Sequence, residues 1–545
     1  GQRCKFVCKY IEAQAHTAIK KLKHLRRKGE EMEWSSSSLL AWFTLLFILT
    51  LVLLLKQRRS RSLGAKKRPP GPPAWPVFGN IFDLGTIPHR NLYKLRFKYG
   101  PVIWLRLGCT NALVIQSAKA AEELFKNHDV TFSDRKVPES LTAHNFNEGS
   151  LSLGRYGSNW RLLRRVVTVE LMTNKRINDT AFIRRKCIDD MIKYIEEDVE
   201  AALARGETGE LVVSHYVFVM AFNLIGNLVI SQDLLNSHSK EGPEFFEAMD
   251  KVMEWSGKPN LADFLPFLKG LDPQRIKKNM ERDLGRTMKV LEGFVRQRIE
   301  ERKLMKKREG RDFLDALLEY EGDGKGGPDE ISAHRRLIII VEIFFAGTET
   351  TSRTIEWVMV ELFRHPESMR RVKEELNRIV GPKRKVGESD IDELPYLQAV
   401  IKESMRLHTI LPFLVPRNTL QDTNFMGFDI PKDTQVFINA WAIGRDPDTW
   451  EDPLSFKPER FLGSDVDYRG QNFELLPFGS GRRICVGLPL AHRMLHLTLA
   501  SLLHSFDWEL GSNSAAETID MKERMGFTVR KLIPLKAIPK KVIAE

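Results

Sequence analysis

The sequence predicts a mainly α fold with small β-sheets, preceded by one N-terminal transmembrane helix. Three observations carry that reading. Leu39 to Leu55 is an uncharged apolar run, Ser332 to Arg364 holds a long helical pattern, and strand signals are short, confined to Val102–Gln116 and the stretch between Pro412 and Pro458. With 42% hydrophobic and 28% charged residues, the chain can bury a sizeable core, which excludes disorder and a multi-span membrane protein. Its 545 residues would allow two or three domains by length alone, but there is no internal repeat and no second catalytic unit.

The formal charge is +13, yet much of the excess lies before Lys67, and no basic motif is interleaved with aromatics. A nucleic-acid partner is therefore not expected. The cysteines Cys4, Cys8, Cys109, Cys187 and Cys485 are scattered without the paired spacing of a zinc site or a disulfide framework. That distribution suits a reducing, cytosol-facing environment.

Taken in order, residues 1–31 carry Lys20, Lys21, Lys23, Arg26, Arg27 and Lys28, which blur the charge asymmetry around the apolar run. Because MEWSSSSLLAWF from Met32 reads as a natural start for a signal anchor, residues 1–31 are expected to be an upstream, non-native extension. A genuine basic amphipathic segment is the alternative. Residues 35–55 approach the roughly 20 residues that span a bilayer. Lys56, Arg58, Arg59, Arg61, Lys66, Lys67 and Arg68 follow with no acid among them, so this flank is expected on the cytosolic side. No small-residue cleavage site follows, which argues against a signal peptide. Residues 56–80 form a basic, Pro-rich linker, since PPGPPAWPVFGN cannot be helical. The body is placed at 81–545. In it, Val102–Leu107 and Ala112–Gln116 flank a turn at Gly108–Asn111 and read as a strand pair. The long helix has Gly326, Gly327 and Pro328 before it and Pro366 as its stop.

Phe478-Gly479-Ser480-Gly481-Arg482-Arg483-Ile484-Cys485-Val486-Gly487 has six fixed positions of the pattern F-G-x-G-x-R-x-C-x-G. The glycines let the backbone turn tightly and bring amides near a sulfur, and a helix beginning near Leu488 would set its positive end beside a thiolate. These conditions favour Cys485 as a metal ligand, whereas a cysteine without them would be an inert core thiol. A dinucleotide-binding loop does not fit, because the third glycine falls at Gly487.

This loop resembles the haem-binding signature of the cytochrome P450 family, and the other family motifs occur in the expected order from Met32 to the C-terminus. The resemblance implies haem b with Cys485 as the proximal iron ligand and Phe478 and Gly479 in its loop. Arg483, Arg417, and Arg164 of Trp160-Arg161-Leu162-Leu163-Arg164 would pair with the haem carboxylates. It makes Glu403, Arg406 and, through Pro458-Glu459-Arg460-Phe461, Arg460 a buried structural ion network. Ala346-Gly347-Thr348-Glu349-Thr350-Thr351 resembles the oxygen-activation motif, with Glu349 and Thr350 relaying protons while the axial thiolate favours O–O cleavage. Read without the resemblance, the same residues would be a helix kink with satisfied polar groups. Substrate contacts fall on the loop before Trp160, on Phe344, Phe345 and Ala346, on Leu411 to Val415 including Phe413, and on Phe527 to Val529. Two positions depart from the usual plant pattern, Val486 and Thr409, where proline is common.

The implied reaction is RH + O₂ + NADPH + H⁺ giving ROH, H₂O and NADP⁺. With no flavin or nicotinamide motif in the chain, NADPH would act through a separate NADPH–cytochrome P450 reductase, with cytochrome b5 as a further donor. Arg482, His492 and Arg493 are candidates to receive the partner's acidic face. The expected setting is the endoplasmic reticulum membrane, single-pass, with the catalytic domain cytosolic and in contact with lipid. Apolar contact regions favour a small hydrophobic substrate, and the resemblance points to the plant group of geraniol hydroxylases and terpenoid oxidases. A phenylpropanoid, flavonoid or alkaloid hydroxylase is the alternative. Outside oxygen insertion stand a hydroperoxide rearranger, against which the Glu349-Thr350 pair argues, and a membrane-anchored haem- or lipid-binding protein without turnover.

Overall fold

The computed structural model describes residue 44 and residues 67–235, 241–304, 310–322, 330–511 and 516–542. The expected membrane span at 35–55, the segment 1–31 and the linker up to residue 66 otherwise lie outside the described residues. The end of the linker differs from expectation. Residues 67–80 lie on the body: the Trp104 N–H donates to Pro70 O at 2.9 Å, and Trp75 and Leu107 both bridge to Gly79. Asn80, 1% exposed, ties this stretch down, accepting from the Arg106 N–H at 2.9 Å and donating to Pro72 and Pro73 carbonyls. Prolines supply no N–H, so an asparagine side chain provides the donor that registers the segment.

The elements that position the site are, in chain order, α1 (Pro88–Tyr99), β1 (Val102–Leu107), β2 (Thr110–Ile115), α2 (Ser158–Val167), α3 (Val213–Ile230), α4 (Glu241–Ser256), α5 (Ile276–Leu304), α6 (Ala333–Arg364), α7 (Pro395–Leu407), β3 (Arg417–Asn418), β4 (Gln435–Ile438) and α8 (Leu488–Ser505). Strands β1 and β2 form the antiparallel pair read from the sequence, with Leu107 opposite Thr110. Strand β4 then joins β2 in parallel and β3 closes the sheet in the order β1-β2-β4-β3. Among the described residues, helices dominate the rest of the body, with three further small two- or three-stranded sheets.

Helix α6 begins and ends where its signals put it. The Ser332 hydroxyl caps the Arg335 N–H, and Pro366 opens the next helix. Most of its side chains from Leu337 to Phe363 are buried, so it forms the axis of the core. Helix α3 packs along it so closely that a Cβ on Gly347 would stand 2.7 Å from Ile225 Cδ1. Among the described residues α3 alone is long and apolar enough to cross a membrane, but two thirds of it is buried within the body, as expected of a core helix.

Candidate active site

The loop from Phe478 to Gly487 hangs before α8. Gly479 and Gly481 take φ of +70° and +67°, a region that favours glycine, and a Cβ on Gly481 would collide with the Asp129 carboxylate at 2.5 Å. That carboxylate is the loop's anchor. It accepts from the Arg482 N–H at 2.9 Å, Arg482 Nη1 at 3.0 Å and Arg417 Nη1 at 2.8 Å. The Cys485 N–H donates to Phe478 O at 2.9 Å, closing the loop. The thiol faces a cavity between α6 and the loop. It is accessible from that cavity while protein surrounds it, and burial pushes its pKa up. The Gly487 N–H, the Arg164 guanidinium and the Leu488 N–H oppose that shift. These are the positive groups that stabilise a coordinated thiolate.

The cavity holds about 270 Å³, and its wall is mostly apolar: Leu141, Phe146, Ile343, Phe345, Leu411 and Phe527 contribute. Against this stand four guanidiniums on the wall, Arg135, Arg164, Arg417 and Arg483. Arg483 donates to Ser133 O at 2.8 Å, Gly154 O at 2.7 Å and Leu151 O at 3.2 Å, and lies 4.0 Å over the Trp160 ring. Arg135 likewise meets only carbonyls, those of Ser152, Val415 and Pro416. Arg164 donates to Ile484 O at 2.8 Å. Only Arg417 has a carboxylate, Asp129. Burial, and then the neighbouring Arg417, bring Arg483 down to about 9, and Arg135 is pushed well down by burial and by Arg483 and Arg417. Cations crowded in this way call for anions. A flat apolar group with two carboxylates and a thiolate-binding metal matches this donor set, so the residues fit haem.

On α6, Thr350 lines the cavity and its hydroxyl donates to Ala346 O at 2.5 Å, one turn back. Thr354 repeats the bond to Thr350 O at 2.8 Å. Glu349 lies elsewhere. Its carboxylate is buried, accepts from Arg353 Nε at 3.1 Å and Thr528 Oγ1 at 3.0 Å, and is not part of the cavity wall. Thr528, which holds that carboxylate, is itself on the wall.

Other expected residues divide similarly. Phe345, Ala346, Leu411, Phe527, Phe478 and Gly479 line the cavity. Phe344 does not: it packs between Phe222 and Phe245, each with ring centroids at 5.1 Å, because the apolar face of α3 takes it. Phe413 also turns away, onto Phe437 and His89 beneath the β-sheet. Trp160 is behind the wall, as the platform for Arg483, with its Nε1–H donated to Leu151 O at 2.9 Å. His492 shares a 2.6 Å hydrogen bond with the Tyr468 hydroxyl, and burial brings it down to about 4, so it is a neutral ring rather than a cation for a partner. Arg482 and Arg493 are near Asp129 and Glu388, at 3.0 Å and 3.9 Å.

Glu403 and Arg406 are buried together, with Arg406 Nε and Nη2 each 2.7 Å from a Glu403 oxygen and Arg460 Nε 3.1 Å away. Sequence reading missed Arg135, Asp129, Glu342 and His408. The first two are isolated charges in a loop, with no local pattern to set them apart. Glu342 interrupts an apolar run on α6, a signal that was visible. His408, on the wall, stacks on Trp357 at 4.0 Å and shares a 2.6 Å hydrogen bond with Glu361.

Comparison with known proteins agrees with this geometry. The family model described as Cytochrome P450 matches residues 69–536. The chain is 56% identical to the iridoid oxidase of Catharanthus roseus, over 91% of this chain and 96% of that protein. It is 40% identical to the geraniol 8-hydroxylase of Catharanthus roseus over 91% of this chain and 98% of that one, and 41% identical to the drimenol monooxygenase of Persicaria hydropiper over 90% and 95%. A solved zebra fish cytochrome P450 structure with progesterone superposes with a TM-score of 0.70 at 28% identity, covering 83% of this chain and 99% of that one.

Proposed function

Because the chain belongs to the cytochrome P450 family, whose members are haem-thiolate monooxygenases, we propose that it inserts one oxygen atom into a small terpenoid, with Cys485 as the iron ligand. The observation that carries the reading is a thiol and four guanidiniums around one apolar cavity. Haem, held by the Cys485 thiolate and the four guanidiniums, would supply the redox chemistry of oxygen activation.

The protein's own residues do the rest. Arg135, Arg164 and Arg483, held by backbone carbonyls, and Arg417, held by Asp129, present N–H groups to the haem carboxylates. Leu141, Phe146, Phe345 and Phe527 exclude water and seat a hydrocarbon skeleton. The Thr350 hydroxyl holds a proton at the cavity wall. Glu349, set back from the wall, pairs with Arg353 and accepts from Thr528 Oγ1, so it serves the relay by taking up a proton from water and passing it toward the cavity through water and the Thr528 hydroxyl. Electrons come from NADPH through a separate reductase, with cytochrome b5 as a second donor, and Arg482 and Arg493 are the cations for the partner's acidic face. The setting is the endoplasmic reticulum membrane, with the body on the cytosolic side of the span at 35–55.

The names of the relatives support a terpenoid: iridoid oxidase, geraniol 8-hydroxylase and drimenol monooxygenase. A 41% identity to the 7-ethoxycoumarin O-deethylase of Helianthus tuberosus favours a phenolic as second reading. Incubating the membrane-bound protein with reductase, NADPH and a panel of both classes decides between them. A terpenoid product gaining one oxygen is expected, and oxidation confined to the phenolics would overturn the substrate class.

A further inference from the structure

The segment 150–154 runs between one buried anion and two buried cations. On one side is Glu342 of α6. Its carboxylate accepts from Ser150 Oγ at 2.6 Å and the Ser152 N–H at 2.9 Å, and also from the Leu151 N–H and Ser152 Oγ. On the other side, the carbonyls of the same loop face arginines. Leu151 O accepts from Arg483 Nη1 at 3.2 Å, Ser152 O from Arg135 Nε at 2.7 Å, and Gly154 O from Arg483 Nη2 at 2.7 Å. The loop's peptide dipoles therefore connect opposite charges, N–H toward the acid and C=O toward the guanidiniums. Hydrogen bonds to ionised groups are the strong ones, and chains of them polarise one another.

Glu342 is the one acid on the cavity wall among the described residues, and the loop occupies both of its oxygens. It is thus not offered to a substrate. Leu151, Ser152 and Leu153 meanwhile form part of the wall. We propose that Glu342 is a positioning residue that sets Arg135 and Arg483 against the haem carboxylates through the Ser150–Gly154 loop, and fixes the substrate-side wall with the same contacts. This rests on the reading of those arginines as the clamp for the haem carboxylates. Glu342 lies nearly 200 residues from the loop it holds, and α6 thereby links the substrate wall to haem retention.

The test uses the purified holoenzyme and its Glu342→Gln variant. Glutamine keeps the shape, removes the charge, and turns an amide NH₂ toward groups that donate. Two rates are read: hydrogen–deuterium exchange of the Leu151 and Ser152 amides, and transfer of haem to excess apomyoglobin. Both should rise by about tenfold or more, the factor expected from losing a hydrogen bond to a charged group. Faster exchange with haem transfer at the wild-type rate would overturn the coupling, and unchanged exchange would overturn the latch. If Glu342→Gln does not fold with haem, the Ser150→Ala/Ser152→Ala double variant replaces it. That variant keeps the carboxylate and both backbone donors, so both rates should rise by a smaller factor, and no rise would overturn the proposal. Arg483→Ala separates the premise from the inference. It should itself speed haem transfer, and wild-type retention there would remove the clamp and the proposal with it.

Discussion

Glutamine at position 403 tests the buried ion network under the cysteine loop. Glu403 and Arg406 are one turn apart on α7, and both side chains are fully out of solvent. The carboxylate takes two bonds from Arg406 at 2.7 Å, one from the Lys457 N–H at 2.8 Å and one from Arg460 Nε at 3.1 Å. The remaining Arg406 donors reach the Gly444, Pro453 and Ser455 carbonyls, so no second carboxylate is at hand when Glu403 is neutralised. Removing one partner of a buried pair costs about 3–5 kcal/mol. With an unfolding entropy near 2.1 cal/mol/K per residue, about 480 residues of body give roughly 1 kcal/mol/K, so a loss of about 4 kcal/mol lowers the melting temperature by only about 4 °C. The assay is loss of the haem absorption band on heating, with wild type and Glu403→Gln at one ramp rate, because large proteins unfold irreversibly. Glu403→Leu/Arg406→Met, which removes both charges, should cost less than the single change. Melting of Glu403→Gln within about 1 °C of wild type would refute the reasoning, since an uncompensated buried guanidinium cannot be that cheap.

Three further outcomes are expected. Cys485→Ser should abolish the red-shifted carbon-monoxide band of the reduced, haem-loaded protein, because that band needs a thiolate ligand; its retention would remove Cys485 from the iron. Thr350→Ala should leave haem content and NADPH consumption in place while product per NADPH falls and hydrogen peroxide appears. The loss should lie toward the lower end of the ~10²–10⁴-fold that acid–base groups contribute, because Thr354 and Thr528 share the wall, and equal coupling in the variant would end the relay role. Asp263, pushed up to about 6 by burial, binds its proton more tightly in the folded state than in the unfolded chain. Stability should therefore decline as pH rises from about 4 to 6, and denaturation of Asp263→Asn should show that segment of the profile flattened. An unchanged slope in the variant would assign the dependence to other groups.

Features encoded within a few residues were legible in the sequence. Ser332 and Pro366 delimit α6, and glycines at 479 and 481 with a helix opening at Leu488 describe the turn that presents Cys485, because caps, φ preferences and helix periodicity act locally. The strand pair at 102–115 and the helix opening at Pro395 were readable for the same reason.

Tertiary structure alone decided which way each side chain on those elements turns. Successive helical residues are about 100° apart around the axis, and the packing partner sets the rotation. Phe222 and Phe245 claim Phe344, which leaves Phe345 and Ala346 for the cavity; Thr528 and Arg353 claim Glu349, which leaves Thr350. Arg135 and Asp129 carry no local mark at all. They matter because Arg483 and Arg417, some 290 to 350 residues further along the chain, come to share their few ångströms of buried space, where an unshielded charge is felt far more strongly than anywhere along an extended chain.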